Sequence, residues 1–171
     1  MKLVTPSLHY QESYIQMISE YSEHNEPLIP FVLAEDYGDF PLMVNKLDAY
    51  SRGQLIPKGF IAHSSFWLID ENERVVGCSN LRHKLNKHLL VLGGHIGFGI
   101  RPSERQKGYA KLILELTLSK AKNKCIDKVL LTVDKDNLGS VKAIQYNKGV
   151  LTSEKEVSGQ NSLIQYYWIE I

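Results

Sequence analysis

The order in which helical and strand patterns follow one another is the feature that most constrains the fold of this chain. Amphipathic helical spacing is typical of residues 8–24, 42–51, 108–122 and 138–147. Strand patterns are typical of residues 65–70, 74–81, 94–100, 129–133, 151–157 and 163–169. Two helices, three strands, then helix, strand, helix and two strands predict a mixed α/β sheet with helices on its faces.

Length and composition indicate one domain that covers residues 1–171. The chain has 43% hydrophobic and 23% charged residues, which is near the globular average and excludes a disordered chain, collagen and a coiled coil. Two distant cysteines, Cys78 and Cys125, argue for a reducing compartment and against a disulfide scaffold or a zinc site. There is no signal-peptide pattern and no apolar run of about 18 residues. We therefore expect a cytoplasmic protein with no membrane partner.

Charged residues are sorted along the chain, although the formal net charge is only +1. Residues 3–45 contain seven acids and no Lys or Arg, whereas residues 74–148 contain fifteen bases and five acids. This asymmetry indicates an anionic partner, such as a polyphosphate, for one part of the chain. Nucleic acid is the alternative anion. The bases form no aromatic-interleaved patch and belong to no known nucleic-acid-binding motif, so we expect no nucleic-acid partner.

A basic loop that contains glycine joins the predicted strand 94–100 to the helix that begins near Gly108. Such a loop can present consecutive backbone N–H groups and a helix N-terminus to a phosphate. The alternative is an ordinary strand-to-helix connection with surface bases.

The strand before this loop contains Gly94, Gly97 and Gly99. Glycine weakens a strand unless something needs close access to the backbone, and a ligand lying along the strand edge would explain all three. A dinucleotide-binding fingerprint is excluded, because Pro102 stands at the third glycine position.

These motifs together resemble the GNAT superfamily, the Gcn5-related N-acetyltransferases. The acetyl-CoA signature of that family is similar to the segment Arg105-Gln106-Lys107-Gly108-Tyr109-Ala110, and its downstream Asn before a helix is similar to Asn137. Residues 66–70, 81–86 and 93–97 further resemble a bacterial group of predicted acetyltransferases of unknown substrate. The resemblance implies the GNAT fold, a mostly antiparallel central sheet of six to seven strands with about four helices on its faces.

The same resemblance implies acetyl-CoA as co-substrate and a set of residues that bind it. Backbone groups of Phe98, Gly99 and Ile100 are expected to pair with the pantetheine arm, and the amides of residues 106–110 to hold the pyrophosphate. Asn137 is expected to reach the cofactor near its pantetheine. The full set of predicted cofactor-binding residues is Phe98, Gly99, Ile100, Arg105, Gln106, Lys107, Gly108, Tyr109, Ala110, Asn137 and Ser140.

Acid and base groups are harder to place. His95 is the candidate general base, because related enzymes often carry a glutamate on this strand and neutral imidazole suits proton removal near pH 7. A structural histidine bonded to the backbone is the alternative. Many relatives place a tyrosine acid where this chain has Ile144. Tyr146 is the remaining candidate acid, although it lies roughly 200° around the helix, and a packed aromatic is the alternative.

The sequence therefore predicts an N-acetyltransferase in which a primary amine attacks acetyl-CoA directly in a ternary complex. The acceptor is a small-molecule or peptide amine. Glu26, Glu35, Asp36 and Asp39 form an expected acidic wall that favours a cationic acceptor. A catalytically silent acyl-CoA-binding or sensing module is the alternative function. We expect a monomer or homodimer and no metal, since the spacing of the histidines lacks a supporting ligand cluster.

Overall fold

Seven strands form two antiparallel sheets in this structure, a computed structural model that describes all 171 residues. In spatial order, the first sheet contains β1 (Lys2–Val4), β2 (His63–Ile69), β3 (Val75–Arg82) and β4 (Ile96–Ile100). The second contains β5 (Lys128–Asp134), β7 (Ile164–Glu170) and β6 (Val150–Lys155), with β7 in the middle. Strands β4 and β5 are therefore edge strands of different sheets.

Five α-helices connect or cover these strands: α1 (Gln11–Glu23), α2 (Phe40–Ser51), α3 (Lys87–Val91), α4 (Tyr109–Lys122) and α5 (Leu138–Tyr146). Single 3-10 turns lie at Leu8–Tyr10, Phe31–Ala34 and Pro102–Glu104. Side chains of Asp39, Asn86 and Asn137 begin α2, α3 and α5 by accepting a hydrogen bond from a backbone N–H in the first turn. None of the helices has the length and apolar character that crossing a membrane requires.

The first sheet is covered on both faces. Side chains alternate along β2, so that Trp67 and Ile69 pack in a core formed with α1 and α2, whereas Phe66 and Leu68 face the opposite core next to α4. All seven residues of β2 are buried. This is why its second half, Phe66–Ile69, is apolar at every position instead of alternating.

The predicted fold class is confirmed, and the differences lie in how the sheet is divided and in two short elements. The strands form sheets of four and three strands rather than one central sheet. Strand β1 and helix α3 were not predicted, since three and five residues are too few to show a period. The predicted strand 94–100 begins later, at Ile96, because Gly94 has a φ of +59° and turns the chain.

Candidate active site

His95 joins the two sheets just before β4 begins. Its backbone N–H donates to the carbonyl of Leu130 in β5 at 2.7 Å, and the N–H of Leu130 donates to Nδ1 of the His95 ring at 2.9 Å. Nearby, the N–H of Gly93 donates to Oγ1 of Thr132 at 2.7 Å. Beyond this junction β4 pairs with β3 alone, so the two edge strands separate and leave a wedge between the sheets.

A cavity of about 590 Å³ lies in this wedge. Every predicted cofactor-binding residue lines it except Lys107. The wall also includes Glu26 of the expected acidic wall, and residues that the sequence did not single out, namely Tyr21, Pro27, Ile29, Glu104, Lys111, Gly139, Lys142 and Ala143. The end of α1 and the loop after it therefore form one side of the cavity, and α4 and α5 begin on the other.

One edge of β4 is open toward the cavity. In an antiparallel pair, alternate residues direct their N–H and C=O groups toward the partner strand. Gly99 faces β3 in this way, whereas the backbone groups of Phe98 and Ile100 point to the open edge. The carbonyl of Ile100 accepts from Tyr21 Oη at 3.0 Å and from Arg105 Nε at 3.2 Å. The backbone groups of Phe98 and the N–H of Ile100 are thus available to a ligand, and those of Gly99 are not.

The loop before α4 presents its backbone amides to the same cavity. Gln106 and Gly108 have positive φ angles of 62° and 84°, which turn successive N–H groups to one side. The N–H groups of residues 106–110 donate to no acceptor within the protein. A Cβ added at Gly108 would meet no atom within 4 Å, so the space in front of it is open. Free N–H groups at a helix N-terminus are an arrangement that can accept a phosphate.

The basic side chains of this loop are already paired within the protein. Arg105 donates to both carboxylate oxygens of Glu26, at 2.7 and 2.5 Å, which lowers the pKa of that carboxyl. Lys107 lies outside the cavity wall and pairs with Glu104 at 2.8 Å. The side chain of Lys107 is therefore not directed to the cavity, and its predicted contact with the cofactor rests on its backbone N–H alone. Lys111 and Lys142 line the cavity and form no ion pair, so they supply its positive charge.

Helix α5 contributes its first turn and not its last. Asn137 uses Oδ1 to accept the N–H of Ser140 at 3.1 Å, which leaves its Nδ2 group free toward the cavity. Tyr146 is 63% exposed, lies outside the cavity wall and packs its ring against the ammonium group of Lys111. Ile144 is buried in the core. The predicted acid role of Tyr146 is therefore not supported by its position.

His95 is held in a state that does not suit a base. Burial, together with the charge of Arg82, lowers the pKa of His95 to about 4, so the ring is neutral. Because Nδ1 accepts the N–H of Leu130, the ring proton lies on Nε2, and no nitrogen lone pair is left to remove a proton. The base role predicted for His95 does not fit this arrangement, and its visible task is to join β4 to β5.

The glycines around β4 are explained by close contacts within the protein. A Cβ at Gly94 would overlap the carbonyl of Leu130, and one at Gly99 would overlap the carbonyl of Ile29. One at Gly97 would lie 3.2 Å from Cβ of Pro30. The expectation that a ligand along the strand explains all three glycines is therefore wrong: the loop after α1 and strand β5 occupy these positions.

The expected acidic wall is absent from the cavity apart from Glu26. Glu35 pairs with Lys46 at 2.5 Å, Asp36 accepts the N–H of Gly38, and Asp39 accepts the first-turn N–H of α2. Glu26 is itself compensated by an arginine. Elsewhere, no group of three or more His, Cys, Asp or Glu side chains is placed to hold a metal ion.

Known proteins resemble this chain in fold far more than in sequence. The spermidine N-acetyltransferase of Vibrio cholerae, a dodecamer, is 14% identical over 99% of this chain and 92% of its own, with a TM-score of 0.64. Mycobacterium smegmatis RimJ in complex with CoA-disulfide is 16% identical over 98% of this chain and 80% of its own, with a TM-score of 0.71. None of the curated proteins matches the sequence significantly.

The sequence nevertheless matches one family over most of its length. Residues 32–146 match the acetyltransferase (GNAT) family, and this stretch runs from the 3-10 turn before α2 to the end of α5. It therefore contains β4, the amide-lined loop and the first turns of α4 and α5. This chain belongs to the GNAT family and is an N-acetyltransferase.

Proposed function

We propose that the chain transfers the acetyl group of acetyl-CoA to a primary amine by direct attack in a ternary complex. The observation that carries this proposal is the run of unpaired N–H groups at residues 106–110, which opens into the cavity at the N-terminus of α4. A folded protein leaves so many consecutive donors free only where water or a ligand accepts from them. A pyrophosphate accepts such donors well.

Other groups of the cavity fit the rest of acetyl-CoA. Lys111 and Lys142 add positive charge near the loop. The open edge of β4 at Phe98 and Ile100 offers backbone donors and an acceptor for an extended, amide-containing arm, in the way that a strand adds to a sheet edge. Nδ2 of Asn137 faces this arm from α5. Acetyl-CoA supplies the acetyl group as an activated thioester.

Orientation carries most of the catalysis in this proposal. Neither His95 nor Tyr146 is placed as an acid or base. Tyr21 does reach the cavity, but its hydroxyl donates to Ile100 and burial raises the pKa of Tyr21 to about 12. The amine therefore has to arrive neutral, and holding it against the thioester supplies the rate advantage of an intramolecular reaction.

The alternative is a silent acyl-CoA-binding or sensing module, which the absence of a placed acid keeps open. The cationic acceptor predicted from the acidic wall has lost its main support, since those acids are paired or cap backbone groups. A cytoplasmic location accords with the free cysteines Cys78 and Cys125. That location, and a monomeric or homodimeric state, stay predictions.

Two measurements test the proposal. Saturating acetyl-CoA should raise the midpoint of thermal unfolding, because the site exists only in the folded chain. Release of free CoA thiol should then require an added primary amine. Binding without release from any amine in a broad panel would favour the silent module, and absence of both would contradict the proposal.

A matched pair of variants locates the phosphate site. Gly108→Ala should weaken acetyl-CoA binding at least tenfold, because its methyl group enters the space in front of the amides. Gly159→Ala is the control: both glycines have a φ of +84° with nothing within 4 Å of an added Cβ, but Gly159 does not line the cavity. The two variants should lose about 1 kcal/mol of stability alike. Equal acetyl-CoA affinities would place the phosphate site elsewhere.

A further inference from the structure

Arg82 is the arginine of this chain that has no carboxylate partner. The chain contains five arginines, and the other four each form an ion pair: Arg52 with Asp48, Arg74 with Asp70, Arg101 with Glu20 and Arg105 with Glu26. Arg82 is also 8% exposed, much less than the surface arginines. A buried cation without a counter-charge is costly to the fold and calls for a reason.

The guanidinium of Arg82 makes two contacts, and neither neutralises it. Nη1 donates to the carbonyl of Gly93 at 2.9 Å, and the central carbon lies 5.2 Å from the centre of the Phe31 ring. Nε and Nη2 donate to no atom of the protein. Only two side-chain atoms of the chain are fully buried without a hydrogen-bond partner, Tyr14 Oη and Asn80 Oδ1. Because Nε and Nη2 of Arg82 are not among them, these two nitrogens keep some contact with solvent.

The polar neighbours of Arg82 on the sheet are neutral histidines. His63 of β2 is its cross-strand partner, and the N–H of Arg82 donates to the carbonyl of His95 at 2.8 Å on the other side. Burial, with the charge of Arg82 as a further cause, lowers the pKa of both histidines to about 4. The row His63, Arg82 and His95 therefore carries a single positive charge and no negative one.

This charge lies beside one end of the cavity. The loop at residues 106–110, hereafter the phosphate loop, lies at the other end. A Cβ at Gly97 would lie 3.4 Å from Nη1 and 3.6 Å from Nη2 of Arg82, and the next residue, Phe98, lines the cavity. The loop at residues 106–110 follows the opposite end of β4. A cofactor whose phosphates bind that loop and whose arm follows β4 carries its acyl end toward Gly97. The acceptor amine must approach there.

We infer that Arg82 binds a carboxylate of the acceptor, so that the amine substrate is of the amino-acid type. The inference rests on the proposed function and defines its acceptor. Nε–H and Nη2–H form the side edge of the guanidinium fork, which matches the two oxygens of a carboxylate. Arg74 uses the same two groups to bind a carboxylate of this chain, with both nitrogens on Oδ2 of Asp70 at 2.9 and 2.8 Å. A polyamine would instead meet an uncompensated positive charge.

The first experiment compares acceptors on the unmodified protein by release of CoA thiol. Phenylalanine, methionine, glutamate and 4-aminobutyrate are each compared with their carboxamide and with the amine that lacks the carboxyl group, and spermidine represents polycations. We expect kcat/KM to be at least tenfold higher for the best carboxylate than for its amide. Tripeptides with a free or amidated C-terminus distinguish a free amino acid from a peptide as the source of the carboxylate.

The second experiment changes the arginine. Arg82→Gln should lower kcat/KM for the carboxylate acceptor at least tenfold, mainly through KM, while the value for the amide and the KM for acetyl-CoA change less than threefold. Arg82→Lys keeps the charge without the guanidinium fork. Its kcat/KM for the carboxylate acceptor should lie between the values of the parent and of Arg82→Gln. Lys84→Gln removes the same charge from an exposed position two residues away and should leave all values unchanged.

Thermal unfolding separates recognition from a structural role. A cation kept for a ligand should cost the unliganded fold stability, so Arg82→Gln should unfold at or above the parent midpoint, whereas a structural arginine would lower it. If the variant does not fold, Arg82 is a structural residue and its assignment to the acceptor is overturned. The comparison of acids with amides on the parent still tests the class of the acceptor. Preference for amides or spermidine overturns the inference and leaves the acetyltransferase intact. Failure of every amine to release CoA overturns both.

Discussion

At the scale of single residues, His95 acts as a hydrogen-bond acceptor that connects two strands, and not as a base. The sequence places it on a glycine-rich strand next to the expected cofactor, where a base is a reasonable hypothesis. In the structure its backbone N–H donates to the carbonyl of Leu130 and its Nδ1 accepts the N–H of Leu130, so His95 pairs with both backbone polar groups of one residue in β5. The separation of β4 from β5 starts at this point, and the cavity depends on it.

Replacing His95 tests this role directly. His95→Ala leaves the buried N–H of Leu130 without an acceptor, so the free energy of unfolding should fall by about 2 kcal/mol and acetyl-CoA should bind more weakly. His95→Asn can offer its Oδ1 near the position of Nδ1 and should recover most of both losses. Urea unfolding and acetyl-CoA titration measure them. An Asn variant that is stable and binds acetyl-CoA, but has a much lower kcat and loses a limb of the pH profile between about 6 and 8, would restore the base hypothesis.

At the scale of elements, the two edges of β4 and the face turned away from α4 have different surroundings. One edge pairs with β3, the other edge is open to the cavity, and one face receives the loop after α1. The loop approaches so closely that the carbonyl of Ile29 and the hydroxyl of Tyr21 occupy the space of a side chain at Gly99. Since Ile29 and Tyr21 also line the cavity, this packing sets the shape of one cavity wall.

Two alanine substitutions on the same face of β4 test this contact. Gly99→Ala should lower the free energy of unfolding by about 3 kcal/mol and weaken acetyl-CoA binding, because its methyl group overlaps backbone that cannot move alone. Gly97→Ala should cost less than about 1 kcal/mol, since the nearest atoms are Cβ of Pro30 at 3.2 Å and the flexible end of Arg82. Equal losses in urea unfolding would show that the loop does not rest on Gly99.

At the scale of the whole molecule, the charge asymmetry of the sequence holds the fold together instead of dividing it into two faces. Glu20 on α1 pairs with Arg101 at 2.6 Å, and Glu26 pairs with Arg105 at 2.5 Å. One acid in α1 and one in the loop after it thus meet bases that follow β4, about 80 positions later in the sequence. The pairs join α1 to the segment that leads into the phosphate loop. Of the expected acidic wall only Glu26 lines the cavity, and Arg105 compensates its charge, so the wall offers a cationic substrate no net negative charge there.

The histidines make the stability of the molecule depend on pH. The pKa values of His63, His83 and His95 are each lowered to about 4 by burial. Between about pH 6.5 and pH 4 the unfolded chain therefore binds protons that the folded chain does not, and the free energy of unfolding falls as the pH falls. A buried histidine such as His63 contributes up to about 1.4 kcal/mol per pH unit in this window.

Urea unfolding at pH 7, 6 and 5 measures this dependence. His63→Asn and His95→Asn should each flatten the decline, whereas His88→Asn, at an exposed position, should leave it unchanged. A free energy of unfolding that is constant from pH 7 to pH 5 would contradict the prediction.

Local patterns were sufficient for most elements and for one half of the cavity. Strands β2, β3 and β5 and helices α4 and α5 follow from apolar periodicity, because each is long enough to bury one stripe or both faces. The loop at residues 106–110 follows as well, because a basic segment with a glycine where a helix starts is a local pattern. Its amides come from consecutive residues, so no long-range contact is needed to bring them together.

Contacts between distant residues determined the rest, and a local pattern does not contain them. The junction at which the two sheets meet depends on His95 contacting Leu130, and the other cavity wall depends on Ile29 lying against Gly99. Which charges remain unpaired depends on contacts across the fold. Arg105 and Lys107 look available in the sequence, but each forms an ion pair in the structure. Arg82 looks like any other basic residue in the sequence, but it forms no ion pair. Each of these contacts involves groups that are buried when helices and sheets pack, so none can be read from the sequence before the fold is known.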